Sequence, residues 1–260
     1  MSTPAQVPDP SKPCVSHVRL HLLTVPEALA SLLQTVVVAL FLLTFLLQPN
    51  LIPSESMEHT LLVGDFLLVN KQVYAPADRL SRWLLPYREI ARGDIVVFHH
   101  PRHPYVVKRV VGLPGDRLRI EDGRVTVNGA ALDEPYATFE PAAANPFRDE
   151  FPADVYSDPE VDLGWWRQMR ALTRDGELTV PPGEYFVLGD NRNHSDDSRF
   201  WGFVSRSQIV ARPLVIYFSL TRPSTTDVQQ AADDRLGHDR ELSAKLTGFA
   251  RWKRIFHVVH

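Results

Sequence analysis

Cysteine is nearly absent from this chain, because its 260 residues include a single one, Cys14. One cysteine excludes an internal disulfide and a metal site built from cysteines. Charge of one sign is not in excess either: 28 basic residues stand against 31 acidic ones, and the formal net charge is −3. Proteins that bind nucleic acids usually carry a basic excess or a basic stripe, so we expect no nucleic-acid partner.

Long apolar runs are absent after the first 50 residues, and proline is frequent, with 21 residues. Short apolar segments separated by turn residues favour strands over long helices. We therefore predict a mainly β chain after residue 49. The predicted strands are 66–70, 95–98, 105–111, 117–120, 124–127, 185–188, 208–210 and 213–220, and a short helix is predicted at 163–172.

One long apolar run does occur, at residues 28–47, and it holds no charged residue. As a helix, about 20 residues cover roughly 30 Å, which is the thickness of a bilayer core. A buried core helix is one alternative, although no other segment of this length could pack around it, and a cleaved signal peptide is the nearer one. Its apolar core is normally shorter and ends in a small-residue cleavage site, which this run lacks. We predict an uncleaved transmembrane anchor.

Positive charges predict how this anchor is oriented. Lys12 and Arg19 precede it, and the next basic residue is Lys71. Basic residues near a span favour the cytoplasmic side, so we expect the chain after the anchor to lie outside the cytoplasm. The predicted organisation is a cytoplasmic tail 1–27, a transmembrane anchor 28–48, a β domain 49–135 and 181–221, an insertion 136–180, and a C-terminal segment 222–260. The basic, aromatic end of that last segment is either amphipathic or a final strand.

Two serines, Ser54 and Ser56, follow Pro53 soon after the anchor. A serine hydroxyl is a weak nucleophile until a base takes its proton. Histidine is the usual base, and His59 and His194 are candidates. Neither comes with the Gly-x-Ser-x-Gly turn of α/β-hydrolases. A Ser-His-Asp triad stays open as an alternative.

Lysine is the other candidate base. Because side chains alternate along a strand, Lys108 shares a face with Val106 and Val110 if residues 105–111 are extended. Free lysine titrates at about 10.4, and full burial lowers its pKa by roughly 3–5 units, which makes it a working base. Lys71 follows a similar apolar alternation, so the residues alone leave both lysines open.

Four sequence blocks follow the apolar run in a fixed order. They read IPSESM (52–57), RGDIVVF (92–98), VKRVVGLPGD (107–116), and GDNR with SDDSR (189–192 and 195–199). In this order after an anchor, they resemble bacterial type I signal peptidase, or leader peptidase, a family of Ser-Lys endopeptidases with a β-rich catalytic domain. The resemblance runs from the anchor to about residue 219, interrupted by the insertion.

The resemblance implies roles for particular residues. Ser56 is expected to be the nucleophile and Lys108 its general base. Ser54, with the backbone N–H of Ser56, is expected to stabilise the oxyanion, and Ser195 to orient the lysine amine. Structural roles are expected for Arg109, Gly189, Asp190, Asn191, Arg192, Asp197 and Arg199, among which Asp197, Arg199 and Arg109 are ion-pairing residues.

The same resemblance implies what the protein acts on. An extended substrate is expected to add as a strand along residues 52–54 and 106–108. The expected substrate-binding residues are Ile52, Pro53, Met57, Leu61, Val106 and Val107. Signal peptides of exported preproteins and the lipid bilayer are the expected partners, cleavage is expected at the outer face of the cytoplasmic membrane, and no metal or other cofactor is expected.

The chain departs from the family at two places. His59 stands where the family often has proline, which predicts a changed local backbone with retained chemistry. Asn193 loses a charge that the family often carries. A soluble Ser-Lys autoprotease and a non-enzymatic, membrane-anchored β binding module are the alternative functions, and the apolar run and the ordered blocks argue against them.

Overall fold

The computed structural model describes residues 25–45, 47–74, 88–101, 103–153, 155–156, 158–221 and 250–259. Most of the predicted tail, including Lys12, Cys14 and Arg19, lies outside the described residues. The same holds for residues 222–249 of the predicted C-terminal segment.

Helix α1 (Val25–Phe45) occupies most of the apolar run. Its residues up to Phe41 group into one compact unit, and the chain from Leu42 onward forms the second. The run does not stay helical to its end, because strand β1 (Leu47–Leu51) begins within it. Pro49 accounts for this change, since proline disfavours helical backbone at the residue before it and cannot donate an N–H. Among the described residues, no helix is long and apolar enough to cross a membrane.

The β structure forms two antiparallel sheets. The strands of the larger sheet are β1, β2 (Asp65–Asn70), β3 (Ile95–His100), β4 (His103–Gly112), β10 (Glu184–Leu188), β11 (Val204–Ser205), β12 (Ile209–Ser219) and β13 (His257–Val258). Their order is β1-β2-β12-β3-β4-β10-β11, with β13 paired to β12. The smaller sheet contains β5 (Arg117–Glu121), β6 (Arg124–Val127), β7 (Ala130–Ala131), β8 (Thr173–Arg174) and β9 (Glu177–Thr179), in the order β7-β6-β5-β9-β8.

The prediction of a mainly β chain is confirmed. One difference concerns β12, which is a single strand where the sequence predicted two. Pro213 lies inside it, and the pairing with β2 shifts register between Pro213 and Val215. A proline in a strand is tolerated at such an irregularity because it has no N–H to donate to the ladder. The basic, aromatic end of the C-terminal segment forms a 3-10 turn (Trp252–Arg254) and not a strand, and the two-residue strand β13 follows it.

The predicted insertion supplies strands to the smaller sheet. Its strands β8 and β9 extend the hairpin of β5 and β6 through pairing between β9 and β5. Three short helices pack in this half of the chain: α2 (Pro146–Asp149), α3 (Leu163–Leu172) and α4 (Ser198–Trp201). Helix α3 has the bounds predicted from the sequence, and its Trp165 and Met169 are buried in the core under the smaller sheet.

Candidate active site

The turn that carries Ser56 is held by apolar side chains on both sides. Ile52 and Met57 are buried in the same core cluster, and between them the chain forms a 3-10 turn at Glu55–Met57. Ser56 is 7% exposed, and its Oγ lies 3.3 Å from the Oγ of Ser54. Apolar burial on either side therefore places the two hydroxyls next to each other.

Lys108 lies inside β4, opposite Val96 of β3. Its side chain is buried, and its Nζ donates a hydrogen bond to the Oγ of Ser195 at 2.9 Å. Burial lowers the pKa of Lys108 to about 8, while the charges of Asp197 and Asp196 act in the opposite direction. At neutral pH an appreciable fraction of this amine is therefore neutral and able to accept a proton.

The loop after β10 brings Ser195 to the turn of Ser56. Gly189 permits this approach, because a Cβ at its position would overlap both the Ser195 Oγ and the Ser56 carbonyl oxygen. The backbone N–H of Asn191 donates to the same carbonyl at 3.1 Å. The predicted nucleophile and the predicted lysine-orienting serine thus lie on two elements in direct contact.

A buried ion pair holds this loop. The carboxylate of Asp197 accepts hydrogen bonds from Nε and Nη2 of Arg199, both at 2.8 Å, and from the backbone N–H of Gly189 at 3.1 Å. Burial by itself raises the pKa of the Asp197 carboxyl, but the Arg199 guanidinium and these hydrogen bonds outweigh burial and hold the pKa below its ordinary value. The Asp197 carboxylate is therefore a fixed negative charge near Lys108.

A second ion pair joins β4 to the same loop. Nε and Nη2 of Arg109 donate to the two carboxylate oxygens of Asp190 at 2.8 and 2.7 Å. The Oγ1 of Thr60, in the segment after Ser56, donates to Asp190 at 2.6 Å. Arg109 thus pairs with Asp190, while Asp197 and Arg199 pair with each other.

Three contacts around these pairs were missed in the sequence. Thr60 donates to Asp190, and Glu134 forms a buried ion pair with Arg192. The ring centroid of Tyr136 lies 3.9 Å from the Arg109 guanidinium carbon. No local pattern marks them, because each partner lies far away along the chain. Only Thr60 lies close to one of the four blocks, three residues after IPSESM.

A cleft of about 820 Å³ runs past this site, and Ser54, Ser56 and Lys108 all line it. Five of the expected substrate-binding residues also line it: Ile52, Pro53, Met57, Val106 and Val107. Leu61 does not, because the segment after Met57 turns its side chain into the core, where it is fully buried. Lys71, the rival lysine, lines a separate cavity of about 230 Å³.

One edge of β4 is available beside the cleft. Strand β3 pairs with β4 at positions on both sides of Lys108, whereas β10 pairs with Arg109, Val110 and Gly112. On the β10 side, residues 103–107 have no strand partner within the described part of the chain. An extended peptide can add to such an edge by main-chain hydrogen bonds.

The two candidate histidines are exposed. His59 has a φ of 73°, a left-handed conformation uncommon outside glycine and closed to proline, whose ring fixes φ near about −65°. His194 lines the cleft and lies 3.9 Å from the carboxylate of Glu140, with 42% of its side chain exposed. Across the described ranges, no group of His, Cys, Asp and Glu side chains is arranged to hold a metal ion.

Comparisons with known proteins agree on one family. The family model described as signal peptidase, peptidase S26, matches residues 25–218. A signal peptidase I of Pseudomonas fluorescens is 36% identical over 72% of this chain and 70% of that protein. A probable signal peptidase I-2 of Synechocystis is 34% identical over 78% of each chain.

One solved structure is also similar in sequence. A signal peptidase I from Enterococcus faecalis V583 is 33% identical and covers 48% of this chain and 97% of that chain, with a TM-score of 0.32. Since that score is low, the relationship rests on the family model and on the sequence relatives.

Proposed function

The chain belongs to the signal peptidase family, peptidase S26, and on this premise we propose that Ser56 and Lys108 form its catalytic dyad. Its relatives are signal peptidases I, so its activity is that of a serine endopeptidase that removes signal peptides. One observation carries the proposed dyad. The buried amine of Lys108 lies 2.9 Å from the Ser195 Oγ and in the cleft that Ser56 lines.

In the proposed reaction, neutral Lys108 accepts the proton of the Ser56 hydroxyl as its Oγ bonds to the carbonyl carbon of the scissile peptide. The oxyanion accepts hydrogen bonds from the Ser56 backbone N–H and from the Ser54 Oγ. The C–N bond then breaks, and Lys108 gives the proton to the leaving amine of the mature protein. Lys108 next takes a proton from a water molecule, whose oxygen bonds to the acyl carbon. The bond from that carbon to the Ser56 Oγ then breaks, Lys108 returns the proton to the Oγ, and the signal peptide leaves as a carboxylate.

The remaining polar residues act through this dyad. Ser195 orients the Lys108 amine by its hydrogen bond. The Asp197–Arg199 pair fixes the loop that carries Ser195, and the Arg109–Asp190 pair ties that loop to the strand of Lys108. Each of these ion pairs is buried and bidentate, a geometry that restrains orientation as well as distance.

The cleft supports an extended substrate with small residues near the cut. The substrate adds to the free edge of β4, and its side chains meet Ile52, Met57 and Val106. These side chains form a shallow apolar wall beside the substrate backbone, which leaves little room for substrate side chains. Residues −1 and −3 relative to the cut are therefore expected to be small, as in the Ala-x-Ala pattern of secretory signals.

We also propose that residues 28–47 anchor the enzyme in the cytoplasmic membrane, with the catalytic domain on the outer side. The support is the uncharged apolar sequence of this run and the basic residues Lys12 and Arg19 before it. An anchor at this place would start the nucleophile-bearing segment near the membrane surface, where the signal peptide of an exported protein leaves the bilayer.

Detergent-solubilised protein incubated with a preprotein tests the function. The expected result is one cut in trans, between the signal and mature parts, that Ser56→Ala abolishes. Replacing the −1 residue of the preprotein with phenylalanine should block the cut. A binding module would give no cut, an autoprotease would cut only its own chain, and efficient cleavage after phenylalanine would contradict the proposed cleft.

A further inference from the structure

The C-terminal residues Ala250–Val259 return to the sheet that carries the nucleophile turn. Strand β13 pairs with β12, and Arg251 donates its backbone N–H to the Ser219 carbonyl at 2.9 Å. The side chain of Val259 is buried in the same core cluster as Ile52 and Met57, which flank Ser56. This segment lies beyond residues 25–218, the part that the family model matches.

Arg254 joins this segment to the chain after Ser56 at two positions. Its Nη2 donates to the backbone carbonyl of Thr60 at 2.9 Å and to the Oδ2 of Asp65 at 2.6 Å. Its Nε lies 3.2 Å from the Oδ1 of Asp65. Asp65 is fully buried and also accepts the backbone N–H of Leu62 at 2.8 Å. One guanidinium thus fixes both ends of the segment 60–65.

That segment leads directly to the reacting serine. The backbone N–H of Leu61 donates to the carbonyl of Met57 at 2.7 Å, which closes a turn on the residue after Ser56. The hydroxyl of Thr60 is bound to Asp190 at 2.6 Å, in the loop that leads to Ser195. A shift of the segment 60–65 would therefore move the nucleophile relative to the groups that activate it.

We infer that the C-terminal segment 250–259 is a clamp on the nucleophile turn, with Arg254 as a positioning residue for Ser56. Arg254 does not line the cleft; it acts through Thr60 and Asp65. The inference rests on the proposed function, in which Ser56 is the nucleophile. Because misplacement of a catalytic group by about 1 Å costs roughly 10²-fold in rate, loss of the clamp should lower kcat more than it raises KM.

The test compares Arg254→Ala with Lys253→Ala, which removes the same charge from the exposed neighbouring residue. Full-length enzymes are assayed with a preprotein at a temperature where circular dichroism shows each one folded. Arg254→Ala should lose at least about tenfold in kcat, with KM within about threefold. Arg254→Lys should have a kcat between those of Arg254→Ala and the parent, since lysine keeps the charge beside Asp65 but cannot make the bidentate contact. Lys253→Ala should match the parent.

Removing Arg254 alone leaves a buried carboxylate with fewer partners, which can prevent folding. The double variant Asp65→Asn, Arg254→Met removes both charges, so it tests the clamp even if Arg254→Ala does not fold. A folded double variant with a kcat loss supports the clamp. Parent-like kcat in a folded Arg254→Ala or double variant overturns it, as does an equal loss in Lys253→Ala. Failure of both variants to fold at any temperature would assign the segment to stability alone and also overturn it.

The parent and Ser56→Ala are run in the same assay. If the parent does not cleave, or Ser56→Ala still does, the proposed function fails whatever Arg254 does. If the parent cleaves, Ser56→Ala is inactive and Arg254→Ala keeps the parent kcat, only the clamp fails.

Discussion

The pKa of one buried amine sets the pH range in which this site can work. Burial lowers the pKa of Lys108 to about 8, and the carboxylates of Asp197 and Asp196 oppose that effect. Only the neutral amine accepts a proton, so kcat/KM should rise with pH and level off above this pKa. Asp197 is locked to Arg199, whereas Asp196 is exposed at the cleft and can be changed without disturbing the core.

Asp196→Asn should therefore move the rising limb of kcat/KM to lower pH. The variant removes a negative charge that favours protonated Lys108, so its pKa falls further. Because Asp196 is exposed, added salt should shrink the difference between variant and parent. The measurement is a pH profile at low and high ionic strength.

Glu160→Gln is the matched control, because it neutralises an exposed carboxylate on the insertion. In Glu160→Gln the rising limb of the kcat/KM profile should occur at the same pH as in the parent. A limb that stays in place in Asp196→Asn, or moves to higher pH, would be inconsistent with Lys108 as the titrating base.

At the scale of elements, the contact between the loop after β10 and the turn of Ser56 depends on Gly189, which has no side chain. Gly189→Ala would place a methyl group against the Ser195 Oγ and the Ser56 carbonyl oxygen. The loop and the turn must then separate, which should lower kcat by about 10²-fold through misplacement of the reacting groups. Steady-state kinetics and a thermal melt would separate this loss from unfolding.

Gly164→Ala serves as the control for this change. Gly164 lies at the start of α3, and a Cβ there meets only the carboxylate of Asp162, at 3.0 Å. Neither of these glycines has a left-handed φ, so the two variants differ in their neighbours and not in backbone strain. Equal kcat in both variants and the parent would refute the account of the Gly189 contact.

Most strands could be predicted from local pattern, but the choice between the two lysines could not. Alternating apolar residues placed both Lys71 and Lys108 next to buried positions. In the structure β2 ends at Asn70, so Lys71 lies just after the strand, whereas Lys108 is inside a paired strand. Strand ends depend on pairing with distant segments, and no local window contains that information.

Two other features of the structure could not be predicted from the sequence. Strand β1 was missed because it starts at the last residue of the apolar run, Leu47, and apolar composition alone does not distinguish a helix from a buried strand. The clamp by Arg254 was also invisible, since its partners lie 189 and 194 residues away along the chain. By contrast, the family resemblance predicted that Ser54, Ser56 and Lys108 share one site, and all three line one cleft. A family's sequence blocks imply which distant segments come together, whereas a local pattern does not.

At the scale of the whole molecule, the apolar run and its flanking charges predict a topology. A protease added to intact spheroplasts should degrade the chain after Pro49 and spare the N-terminal tail. Antibodies against the two ends, read on a blot, give the result, with detergent lysis as the control that exposes both ends. Protection of the region around Ser56 would refute the proposed orientation, since signal peptides of exported proteins are cut on the far side of the membrane.

A double-mutant cycle tests whether Lys108 takes the proton from Ser56. Lys108→Met keeps the length of the buried side chain but has no amine, and Lys71→Met is the matched control. Loss of a general base costs about 10²–10⁴-fold, and members of one catalytic unit do not contribute additively.

In kcat/KM for a preprotein, Ser56→Ala and folded Lys108→Met should fall to similar low levels. Their double variant should be no worse than either, and Lys71→Met should stay within about tenfold of the parent. Retained activity in a folded Lys108→Met enzyme, or a double variant that loses the product of the two single effects, would contradict the Ser-Lys assignment.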